Sequence, residues 1–243
     1  MIEEVNMRKN KIKQNRKKWF GFVKGLIKIF VRKPKYVYVG EPTIKEGSII
    51  LSNHVGKTAP LKLELYLPTR FRFWGAHEMN EGFGSVYRYM TVVFYHQKKH
   101  WNLWLARLFC CIATPLTYIF YKGLNLISTY KDHRLKKTIK ESVETIENKE
   151  SIVIFPEDST EGYHDELKGF HPGFILLAKT CYKKGIDVPI YVTYYDKHTK
   201  QHFIDKPIMF SQLIKDGLDR EKITKDLCNR ANALRKNNET KQG

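Results

Sequence analysis

The chain has 243 residues with 42% apolar and 13% aromatic content, which suits one α/β domain, or one domain with a small appendage. Its 43 Lys and Arg against 25 Asp and Glu give a net charge of +18, a field that favours a polyanion, nucleic acid or anionic lipid, although general lysine-rich usage produces the same excess. The four cysteines, Cys110, Cys111, Cys181 and Cys228, contain no CxxC pair, so neither a disulfide framework nor a zinc site is indicated and a reducing compartment fits.

Residues 1–18 are polar and basic and lack a small-residue cleavage site, so no secretory signal is expected. The next stretch, WFGFVKGLIKIFVRKPK (19–35), predicts a helix ended by Pro34. Lys24, Lys28 and Arg32 fall at i, i+4 and i+8 and share one stripe among apolar bulk. The apolar span is short for crossing a bilayer. One reading is a helix in the headgroup plane with its lysines toward anionic lipid; the other is a basic helix packed on its own protein. The aromatics Trp19, Phe20 and Phe22 at its start favour the first. Residues 1–35 are accordingly expected to be a membrane-docking segment preceding the main domain over 36–243.

YVYVG (36–40) and GSIILS (47–52) read as short strands flanking a turn, followed by a helix between Pro60 and Pro68. RFRFWG (70–75) alternates as a strand, a glycine-punctuated helix or loop covers 80–90, and TVVFYH (91–96) predicts a further strand. Residues 101–121 are the most apolar stretch, interrupted by Arg107 and Pro115 and flanked by Trp101, Trp104, Tyr118 and Tyr121. A buried core helix pair, a membrane span and a segment dipping into one leaflet all fit. The interior arginine disfavours a simple span, and the aromatic ends favour partial insertion.

LNLIS (124–128) resumes the sheet, and 132–148 is a helix with Asp132 as cap and Leu135, Ile139, Val143 and Ile146 as its buried stripe. SIVIFPEDST (151–160) is a buried strand running into a loop, 171–185 a helix stopped by Gly185, 187–196 a strand, and 219–236 a final helix. This alternation predicts an α/β fold, a layered mixed sheet flanked by helices.

Two loops follow buried strands, where open α/β sheets place their sites: SNHVGKTAP and FPEDSTEG. His54 is the candidate base of the first. On the second, the short polar run Asp158-Ser159 is also ordinary turn chemistry. His96 and His100 are four apart, but no third ligand is evident, so neither a metal nor a cofactor is expected. No Walker, dinucleotide or groove-reading motif is present, so nucleic acid is not an expected partner.

Together these loops resemble the glycerolipid acyltransferases, specifically the 1-acylglycerol-3-phosphate acyltransferase type, which carries four ordered blocks. Asn53-His54 matches the start of the first, Gly123 and Ile127 the second, Phe155-Pro156-Glu157 the third and Val188-Pro189-Ile190 the fourth. The resemblance spans roughly residues 47–195. It implies a catalytic His54 and a substrate loop with Asn53, Glu157, Ser159 and Thr160. It further implies an acyl-CoA or acyl carrier protein donor, a lysophospholipid or glycerol-phosphate acceptor, and a place at the cytoplasmic face of the cell membrane.

The departures are specific. The first-block Asp is Ala59, the second-block Arg falls at Thr129, and Asp158 stands at a third-block Gly with no Arg at the expected place. A histidine that deprotonates a hydroxyl becomes an imidazolium, which a carboxylate on its other nitrogen stabilises. Asp158 is the foremost replacement, with Glu64, Glu157 and Asp165 as others. Lys122, Lys131 and Arg134 are candidates for the acceptor phosphate, or a solvated basic face. The expectation is a membrane-associated acyltransferase. The alternative is a degenerate relative that binds lipid without turnover.

Overall fold

The computed structural model describes residues 16–56, 58–158 and 164–239. Buried apolar runs build the centre of an eight-stranded sheet, in the order β1-β7-β6-β2-β5-β3-β4 with β8 on the flank of β6. The strands are β1 (Lys35–Tyr38), β2 (Ile49–Ser52), β3 (Phe71–Ala76), β4 (Ile127–Thr129), β5 (Ser151–Ile154), β6 (Pro189–Asp196), β7 (Gln201–Ile204) and β8 (Ile208–Met209). β6, β2, β5, β3 and β4 are mutually parallel, whereas β7 and β8 run antiparallel to β6. The α/β reading holds, as a mixed, mostly parallel sheet flanked by helices.

Side-chain alternation divides the core. Ile49 and Leu51 of β2, with Ile152 and Ile154 of β5, face one side. There α5 (Leu135–Glu147), α6 (Gly173–Lys183) and α8 (Arg220–Glu239) supply Ile139, Val143, Phe174, Leu177 and Leu227. Ile50 and Val153 face the other side, against Phe20 of α1 (Lys18–Phe30) and Leu63 of α2 (Thr58–Tyr66). The 219–236 helix extends through Glu239, and a short helix α7 (Phe210–Lys215) precedes it.

Four expectations change. First, the two strands that flank the turn are not neighbours: β1 pairs in parallel with β7 at the far edge, so the turn between them is a crossover. Second, residues 91–96 are not a strand but the middle of a π-helix, Tyr89–Lys98. The β-branched and aromatic run suited a strand, yet it lies in a helical layer, where Met90 and Tyr95 meet Cys110 and Phe109 of α4 (Leu103–Leu124). Packing overrides propensity here. Third, 101–121 is neither a core helix pair nor broken at Pro115; it is one 22-residue helix. The remaining short helix, α3 (Phe83–Arg88), packs beside it.

Fourth, the Lys24, Lys28 and Arg32 stripe does not face outward as a whole: Lys24 is turned onto α2, whereas Lys28 and Arg32 are exposed. Glu64 of α2, whose side chain has no exposed surface, pairs with Lys24 Nζ at 3.0 Å and with both Nε and a terminal nitrogen of Arg16. Lys28 lies 5.1 Å over the Tyr66 ring. Two buried or half-buried cations satisfied by one carboxylate fix α1 against α2, Phe20 enters the core, and Phe22, Leu26, Ile29 and Phe30 stay exposed. The physical reason is that α2 carries polar groups on the side that α1 covers. Lys62 donates to the Arg32 carbonyl at 2.9 Å, and Tyr66 to that of Val31.

Candidate active site

Because β2, β5, β3 and β4 are parallel, their carboxyl ends open on one edge of the sheet. β2 and β5 are neighbours there, so the two sequence-predicted loops meet. Asn53, 1% exposed, donates from Nδ2 to the Tyr195 carbonyl at 2.9 Å and accepts the Tyr195 N–H at 2.7 Å. It ties the end of β2 to β6 and thereby orients the next residue. The chain then turns through Val55 (φ 39°) and Gly56 (φ 60°). A β-branched residue in the left-handed region is a strained conformation, here stored beside His54.

Glu157 closes the junction: its Oε2 accepts the His54 backbone N–H at 3.0 Å. Pairing across Glu157 and Phe170 holds its loop extended. The His54 ring meets Phe155 edge-on at 4.8 Å, and Phe155 stacks on Phe73 of β3 at 5.8 Å. Burial is the main reason that the His54 pKa falls to about 4; the positive charge of Lys98 adds to this, and a hydrogen bond with the Gly56 backbone opposes it.

Burial likewise raises the Glu157 carboxyl above its usual range, against the pull of the backbone N–H of His54, the backbone and charge of His164, and Lys98. Lys98 is itself lowered by desolvation and by Lys131, while Glu157 works the other way. His54 and Glu157 are thus joined by a hydrogen bond and lie in the field of Lys98, on which Lys131 acts in turn. A neutral imidazole held there is able to take a proton.

The remaining sequence candidates distribute as follows. Asp158 neighbours His171, with 3.9 Å between carboxylate and Nε2, and its N–H donates to the Gly169 carbonyl. Adjacent residues of an extended segment point to opposite sides, so Glu157 rather than Asp158 is turned to the His54 backbone. Arg134 grips Asp132 with two nitrogens and covers the Tyr130 ring at 4.4 Å. That carboxylate also accepts the Arg134 N–H ahead of α5. Lys122 lies over Tyr118 at 4.6 Å in the last turn of α4. Glu64 is committed to Arg16 and Lys24, and Asp165 to Lys197 at 2.7 Å. Ser159 and Thr160 lie outside the described residues.

Ala59 is fully buried on α2, so an Asp there would place its carboxylate within the protein. Gly123, matched to a family glycine, serves packing: a Cβ there would sit 1.9 Å from the Phe20 ring. Lys98 was missed by sequence reasoning. Its signal was the basic run HQKKH (96–100), obscured by the strand predicted just before it.

No curated protein matches the chain. A family model described as Acyltransferase matches residues 28–194, from within α1 almost to the end of β6, and so takes in both site loops. The chain belongs to the Acyltransferase family.

Proposed function

We propose that the protein transfers an acyl chain from acyl-CoA or acyl carrier protein to the hydroxyl of a lysophospholipid or glycerol phosphate, at the cytoplasmic face of an anionic membrane. The observation that carries this reading is the Glu157–His54 bond, which fixes the base of the first loop against the second loop at the carboxyl ends of two parallel strands. His54 accepts the hydroxyl proton as the oxygen attacks the thioester carbonyl. The tetrahedral intermediate then expels the thiolate, which the imidazolium reprotonates. The charge of Lys98, which is felt at the base, attracts the acceptor phosphate.

A second reading, lipid binding without turnover, is favoured by Ala59 and by the Lys98 charge, both of which disfavour an imidazolium. Mass analysis of products separates the two. The native chain and Ala59→Asp would be given lysophosphatidate with each donor. A diacyl product from the native chain, formed faster by the variant, is expected. Bound lysolipid with no product from either, across several donors, leaves only the second reading.

A further inference from the structure

Two helices turn their apolar sides away from the protein. On α4, Ala106, Cys110 and Thr114 form a narrow buried stripe, while Leu108, Ile112 and Leu116 on the outer side are 70%, 76% and 71% exposed. A groove between Trp101 and Ile112 runs along its N-terminal half, and Arg107 covers the Trp104 ring at 5.4 Å. On α1, Phe22, Ile29 and Phe30 are exposed as well, Phe30 to 85%. The two helices are locked together, because the fully buried Phe20 occupies the space above Gly123 and meets Phe120 edge-on at 5.3 Å. So much contiguous apolar surface marks an interaction face.

What covers it is argued from charge and from connectivity. Lys99, Lys122, Lys17, Lys18, Arg32 and Lys33 are exposed near the ends of the two helices, so cations rim the apolar sides at the level that lipid phosphates occupy. At 22 residues, α4 is about 33 Å long, enough to cross a bilayer by length and composition. Its setting argues against that. It packs along the π-helix and α3, and its C-terminal end runs directly into β4, which is hydrogen-bonded to β3. Both ends belong to one polar body, and a crossing would take sheet backbone into hydrocarbon.

We propose that the outer face of α4, extended by α1, is embedded in the plane of one leaflet of an anionic membrane. This deepens the membrane association in the function above and does not depend on acyl transfer taking place. The sequence reading put the Lys24, Lys28 and Arg32 stripe toward lipid; with Lys24 paired to Glu64 and Lys28 over the Tyr66 ring, attachment is driven chiefly by apolar insertion and survives added salt. The exposed rim cations supply the preference for anionic lipid.

Flotation with vesicles of phosphatidylcholine, with and without phosphatidylglycerol, tests this. Three proteins are compared: native, Leu108→Asn/Ile112→Asn/Leu116→Asn, and Lys17→Gln/Lys18→Gln/Arg32→Gln/Lys33→Gln. Circular dichroism checks that each is folded. The native protein is expected to float at low and high salt. The triple variant should bind about tenfold more weakly or worse, and the quadruple variant should lose its preference for phosphatidylglycerol while still binding. A folded triple variant that floats like the native protein overturns the proposal. So does native binding abolished by salt, or a native dimer that the triple variant loses, which would assign the face to a second copy. A protein that floats yet transfers no acyl group refutes the transferase reading alone; one that acylates a monomeric short-chain lysolipid yet never floats refutes the docking alone.

Discussion

Lowering His54 to about 4 has two consequences for a base. The imidazole is neutral, hence competent to accept a proton, over the whole physiological range, but it is a weak acceptor. Activity that needs the neutral form is lost only as pH falls through the folded pKa. The acid limb of kcat/KM is therefore expected near 4 rather than near the ordinary histidine value of 6.5; a limb at the ordinary value would contradict this placement. Ala59→Asp should move that limb upward and raise the rate if the carboxylate it adds on α2 reaches the ring, since a nearby negative charge favours the imidazolium. Asp158→Asn should cost less than about tenfold, since Asp158 neighbours His171. Most of the rate lost at 158, with indifference at 59, would instead mean a relocated partner. Glu157→Gln weakens the bond that positions His54 and should lower turnover on the order of 10²-fold with little change in stability.

At the level of elements, α1 is held by one carboxylate and one glycine. Glu64→Ala leaves Arg16 and Lys24 unbalanced in a mostly buried setting and should cost about 3–5 kcal/mol in denaturant unfolding. Gly123→Leu drives a side chain into the Phe20 ring and should loosen α1, read as faster proteolysis before residue 35. Unchanged stability in the first variant and unchanged cleavage in the second would show that α1 is held by other contacts. The sequence singles out both residues but not their packing roles: Gly123 stands there as a motif match, and the partners of Glu64 lie 40 and 48 positions away. The central strands were legible because β2, β5 and β6 are buried on both faces and read as continuous apolar runs. The π-helix was not, because its β-branched and aromatic residues are set by contact with α4. β7, β8 and α7 were passed over because each is short and lacks strong punctuation.

Across the whole molecule, two histidines are neutral because they are buried: His54, at about 4, and His202, at about 3, which stacks on Tyr36 at 5.5 Å. The unfolded chain, with ordinary values of 6.5, binds more protons than the folded one below that pH. Stability therefore rises with pH through this window, and is lost as pH falls from about 6.5 toward the folded values. His202→Phe should flatten part of that loss in chemical unfolding at graded pH; a native protein equally stable at both ends of the window would contradict it. The site was legible in outline at this scale, since Asn53-His54 and Phe155-Pro156-Glu157 each follow an apolar strand that the sheet brings side by side. The influence of Lys98 was not, because it stands at the end of the π-helix, whose middle reads as a strand. The central claim, acyl transfer with His54 as base, is tested most directly by one rate: acylation of lysophosphatidate in anionic vesicles by the native protein beside a folded His54→Ala variant. Turnover by the native chain and its loss, to about 10⁻³ or less, in the variant is the expected result. Equal turnover by the two proteins would remove His54 from the chemistry, and no turnover by the native chain with any acyl donor would contradict the claim outright.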